Sequence, residues 1–119
     1  MERYDEIFIP IHDLNDDWTI YVNTDPEHRQ LHHFVQFKMF ERENETLWDI
    51  YSAFNEKLET LIDRYENEEL PAGKVDAAIA IAESFRNRKT GELEKAAFEK
   101  LMQALRKAKE MGKPVYFWF

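Results

Sequence analysis

The chain has 119 residues, 44% hydrophobic and 14% aromatic, with 3 Gly, 4 Pro, no Cys and a net charge of −8. That length suits one domain with one core, spanning 1–119, and the aromatic content excludes an intrinsically disordered chain. The missing cysteines exclude thiolate nucleophiles, zinc ribbons and iron–sulfur ligands, and they favour a reducing compartment.

No apolar run approaches the roughly 20 residues of a membrane-spanning helix. The N-terminal MERYDEIFIPIHDLNDD lacks the basic and apolar regions of a signal peptide. The expected setting is cytoplasmic, with no membrane partner.

In chain order, Ile7, Ile9 and Ile11 alternate with Phe8 and Pro10, which predicts a first strand. Pro10 cannot donate to a ladder, so this strand is expected at an edge or to break there. Trp18, Ile20 and Val22 alternate with Thr19 and Tyr21 and predict a second strand. Residues 23–30 (NTDPEHRQ) read as a polar loop, and 34–40 as a third strand with one wet face.

The period then changes. Leu47, Tyr51, Phe54, Leu58, Leu61 and Tyr65 step by four and three, the stripe of a long amphipathic helix over 45–68. Asn44 or Thr46 is its expected N-cap. Val75, Ala78, Ile79, Ala82 and Phe85 predict a second helix. Leu93, Ala97, Leu101, Leu105 and Ala108 predict a third, capped by Thr90 and closed by Gly112. The apolar VYFWF run at 115–119 predicts a terminal strand inside the sheet. The resulting class is α+β, in the order β-β-β-α-α-α-β, a mostly antiparallel sheet packed on helices.

Charge is distributed unevenly. Residues 1–70 carry 18 Asp/Glu against 6 Lys/Arg, a net of −12, whereas 71–119 carry 6 against 10, a net of +4. Folding does not require such a split, because net charge speaks to association rather than to fold. On the expected long helix, Asp49, Glu56, Glu59, Asp63 and Glu66 follow at spacings of 7, 3, 4 and 3 and line one face. That ridge is either a solvated face or a docking surface, and the neighbouring acidic turns, Asp13, Asp16 and Asp17 and then Asp25 and Glu27, add to the second reading.

The same arithmetic disfavours direct nucleic-acid binding, which needs clustered Lys/Arg. His28, His32 and His33 fall in a loop entering a strand, with no completing ligand, so no metal site is expected. Ser52 and Ser84 lie inside expected helices, and the three glycines are isolated. No catalytic residue, enzyme activity or cofactor is expected.

The stretch Leu105-Arg106-Lys107-Ala108-Lys109-Glu110-Met111-Gly112 and the apolar strand after it resemble the closing helix and strand of the barstar-type ribonuclease inhibitors. As a small acidic chain without cofactors, the protein also looks like the bacterial immunity proteins of polymorphic-toxin and contact-dependent inhibition systems. That resemblance implies an inhibitor that occludes a basic protein partner, a toxin or nuclease domain. Two alternatives stand beside it: a small acidic regulatory or adaptor domain binding a host protein, and a DNA-mimic antagonist. The expected partner-binding residues are Asp16, Asp17, Asp49, Glu56, Glu59, Asp63 and Glu66.

Overall fold

The computed structural model describes residues 3–23 and 25–119; Thr24, in the expected polar loop, lies outside them. Four strands, β1 (Tyr4–Pro10), β2 (Phe34–Phe40), β3 (Asn67–Leu70) and β4 (Val115–Trp118), pair antiparallel in the spatial order β2-β1-β4-β3. Five α-helices accompany them: α1 (Trp18–Val22), α2 (Glu41–Glu45), α3 (Trp48–Leu58), α4 (Val75–Glu83) and α5 (Glu92–Met111). The class is α+β, as the residue pattern predicts. The order of elements is instead β-α-β-α-α-β-α-α-β. Among the described residues, no helix is long and apolar enough to cross a membrane.

Alternation divides the sheet residues between two cores. Ile7 and Ile9 of β1, Met39 of β2 and Val115 and Phe117 of β4 join α3, α4 and α5 in the larger one. Phe8, Phe34 and Tyr116 point the other way and pack with Trp18 and Val22 of α1. Both faces of β1 are therefore covered, and Ile7, Phe8 and Ile9 are all fully buried. This corrects the expected edge position of β1, which pairs with β2 on one side and β4 on the other. Pro10 is its last residue, where a missing N–H costs least. β4 is internal, as its apolar faces require.

The expected second strand is α1. The carboxylate of Asp17 accepts the backbone N–H of Thr19 at 2.9 Å, an N-cap that starts a helix. Trp18 and Val22, four apart, then share its buried face, and the Trp18 ring stacks on Tyr116 with centroids 4.7 Å apart. An i, i+2, i+4 alternation contains an i, i+4 pair, so five residues fit both periods and the cap decides.

The expected helix over 45–68 is broken twice. Thr46 donates its hydroxyl to the Glu43 carbonyl at 2.7 Å, and α3 begins only at Trp48. At the other end Glu59 turns left-handed, with φ 59°. The Asn55 side chain then takes over the chain that follows: Oδ1 accepts from Thr60 Oγ1 at 2.7 Å and from Ile62 N at 2.8 Å, and Nδ2 donates to Ile62 O at 2.8 Å. A side chain that satisfies backbone groups in this way competes with the helix. The chain re-enters the sheet as β3. Further on, α5 starts from Gly91 rather than Thr90, and Gly112 closes it left-handed at φ 67°, as its position predicts.

Candidate functional site

The helix break dismantles the expected acidic ridge. Asp49, in the first turn of α3, is bound by the ammonium of Lys89 at 2.8 Å. Glu56 remains on α3 and is exposed. Glu59 is the left-handed residue past its end, and Asp63 and Glu66 lie in the non-helical segment before β3. Those five therefore do not form a single helical face.

Asp16 and Asp17 have a different setting. They line a groove of about 570 Å³ between the loop leading into α1 and the edge strand β3, together with Asp13, Glu68, Glu69, Lys113 and Tyr116. Lys113 Nζ is 2.6 Å from Asp13 Oδ1 and holds that carboxyl below its usual range, so Asp13 is neutralised within the fold. Among the described residues, Asp16, Asp17, Glu68 and Glu69 have no Lys, Arg or His within ion-pair distance.

Local hydrogen bonds fix two of these four. Asp17 accepts from Thr19 N and from Thr19 Oγ1 at 2.8 Å, which holds its pKa below the usual carboxylate value. Glu68 accepts from the backbone N–H of Leu61 and, through its other oxygen, from Glu69 N at 2.9 Å. Glu69 responds to the crowding: burial first, then the charges of Asp17 and Glu68, push its pKa above the ordinary value. The Tyr116 hydroxyl is pushed up to about 12 by burial and then by Glu69, Asp17 and Asp13. Residues more than fifty positions apart thus share one negative field.

Pairing differs sharply between the two halves of the chain. In the C-terminal half, Asp76 is held by Lys109, Glu83 by Arg86 and Arg106, Glu99 by Arg86 and Glu110 by Lys107. Among the described residues, the carboxylates left without an ion pair include those around the groove and in the segment before β3.

Sequence reasoning placed Asp16 and Asp17 among the binding residues but missed Glu68 and Glu69. The signal for them was the pair of adjacent acids ahead of Leu70, which charged edge strands carry as protection against pairing; the helical reading of that stretch hid it. The histidines form no ligand set. His12 Nε2 and His33 Nδ1 share a hydrogen bond of 2.9 Å. Among the described residues no group of three or more His, Asp or Glu is placed to hold a metal ion.

The fold finds a counterpart among solved proteins. No protein-family model and no curated protein matches the chain. Its fold is similar to that of the Neisseria DNA mimic protein DMP12, with a TM-score of 0.60 and 14% identity over 98% of this chain and 100% of that one. This corrects the expected partner: the solved protein of similar fold is described as a DNA mimic, which displaces the toxin or nuclease domain inferred from charge and local resemblance.

Proposed function

We propose that this protein is a DNA mimic: a non-enzymatic binding protein that occupies the DNA-binding surface of another protein. The observation that carries the reading is the cluster of Asp16, Asp17, Glu68 and Glu69, which make no ion pair among the described residues, in a groove whose lysine, Lys113, is bound to Asp13. A surface evolved to grip DNA presents Lys and Arg to phosphates. Uncompensated carboxylates on a folded scaffold offer it the same charge. The shared fold with a DNA mimic supports the same reading.

The raised pKa of Glu69 supplies a physical reason for binding at this groove. Its charge is held against burial and two like charges, so an arriving guanidinium or ammonium relieves a repulsion already present. Electrostatic complementarity of this kind chiefly speeds association and selects the partner.

Displacement tests the proposal. Proteins of the source cell are loaded on duplex DNA-cellulose and eluted with the pure protein at low salt. Wild type is expected to release specific DNA-binding proteins. The variant Asp16→Asn/Asp17→Asn/Glu68→Gln/Glu69→Gln keeps the acceptor atoms for Thr19 and Leu61 but loses four charges, and should release far less. Equal release by both, or none by wild type, would overturn the reading.

A further inference from the structure

We infer that the segment 59–66, beside the groove, is a preformed anchor that seats Leu61 and Tyr65 in an apolar recess of the partner's cationic surface. The inference rests on the DNA-mimic reading above and adds to it the contact that charge alone cannot make specific.

Leu61 and Tyr65 are 78% and 72% exposed, more than any other large hydrophobic side chain among the described residues. The stripe of apolar residues along the sequence would bury both, had the helix continued. The chain instead leaves the helix after Leu58, and Ile62 alone of this segment's apolar residues turns into the core, 2% exposed. The two exposed residues are four positions apart in the chain, so their Cα atoms are at most about 14 Å apart.

The segment is held in this arrangement. Asn55 fixes Thr60 and Ile62 through three hydrogen bonds, and Glu68 accepts the Leu61 N–H. Arg64 forks onto Glu45, with Nε 2.6 Å from Oε1, and lies 4.2 Å over the Trp48 ring. Arg3 stands 4.5 Å from the Tyr65 ring centre. Glu59 and Tyr65 both adopt left-handed backbone, at φ 59° and 60°, without being glycine. Exposed apolar side chains on a fixed segment lose little entropy on docking, and a few such anchors dominate most interfaces.

Charge complementarity selects the occupant. The segment's own cation, Arg64, is spent on Glu45, while among the described residues Glu59, Asp63 and Glu66 carry no ion pair. A second copy of this chain would bring the same acidic rim against itself. A cationic protein surface meets both the rim and the anchors.

The protein released from DNA-cellulose by wild type, once purified, is the probe. Its affinity is measured by titration calorimetry at two ionic strengths against wild type and Leu61→Ser/Tyr65→Asn. Asn tolerates left-handed backbone, so the second change removes the ring without straining the chain. The double variant is expected to bind roughly tenfold or more weakly, with the salt dependence of wild type, because the lost contact is apolar. Leu61→Ser alone leaves Arg3 on Tyr65 and should show part of the same loss.

Binding equal to wild type by both variants would overturn the anchor while leaving the DNA-mimic reading intact. Release of nothing by wild type would overturn both. Sedimentation of wild type alone as a dimer that the double variant abolishes would put a second copy on these residues, and would also overturn the inference.

Discussion

Lys89 Nζ lies 2.8 and 2.9 Å from the two carboxylate oxygens of Asp49 and 2.7 Å from the Thr46 carbonyl, with 5% of its side chain exposed. The pair ties the turn after α4 to the start of α3, across forty residues of chain. It makes Asp49 a structural carboxylate, with its charge met by Lys89 within the fold.

Asp49→Ala should therefore cost stability and not association. It leaves a nearly buried ammonium with one acceptor, and loss of a charged hydrogen bond of this kind costs about 1.5–3 kcal/mol. Lys89→Met leaves Asp49, which is partly exposed, with the Ile50 N–H and water as partners, and should cost less. Urea unfolding of both variants checks the order, and the DNA-cellulose assay should find Asp49→Ala as effective as wild type.

Asp5 carries a pH prediction. Its Oδ2 accepts from Asn44 Nδ2 at 3.0 Å, and Asn44 Oδ1 in turn accepts from the Tyr51 hydroxyl at 2.7 Å. Its Oδ1 is buried without a hydrogen-bond partner. Burial, opposed by Asn44 and Arg3 and aided by Glu41 and Glu45, raises its pKa in the fold. The folded state therefore holds the proton more tightly than the unfolded state. Between the ordinary value of 3.8 and the raised one, stability falls as pH rises, and at neutral pH the ionised group is a cost. Asp5→Asn should raise the melting temperature at pH 7, and that advantage should vanish below pH 3.8, where both states of wild type are protonated.

Deleting residues 115–119 removes β4, which pairs with β1 on one side and β3 on the other. It also removes Val115, Phe117 and Phe119 from the main core and Tyr116 from the second. The truncated chain is expected to show no cooperative thermal transition by circular dichroism. A cooperative transition near that of wild type would contradict the central place of β4.

Gly112 closes α5 at φ 67°, and a Cβ added there meets nothing within 4 Å. The cost of Gly112→Ala is then one of backbone alone, about 1–2 kcal/mol for an L-residue in the left-handed region. Gly112→Asn should cost less, since Asn visits that region more readily. Thermal unfolding of the two variants should preserve this order.

Local chemistry was enough to read the strands at 34–40 and 115–119, helix α4, and helix α5 with its Gly112 cap. Each is long or strongly periodic, or carries a residue whose backbone needs are specific. The α+β class and the charge imbalance were equally legible. The break after Leu58 was not, because Asn55 stops the helix by reaching residues five and seven positions ahead, and the apolar stripe runs on through Leu61 and Tyr65 as if they were buried. Nor was α1, where a five-residue segment fits both periods and one Asp17 hydrogen bond selects the helix. The candidate site depended most on the tertiary fold. Asp16 and Asp17 belong to one loop and Glu68 and Glu69 to an edge strand fifty residues later, and only the pairing of β3 with β4 brings their charges into one groove. Sequence alone determined that this protein carries an excess of negative charge. The ion pairs of the folded chain decided which carboxylates are spent internally and which are left unpaired among the described residues, because pairing depends on distances that no spacing along the chain encodes.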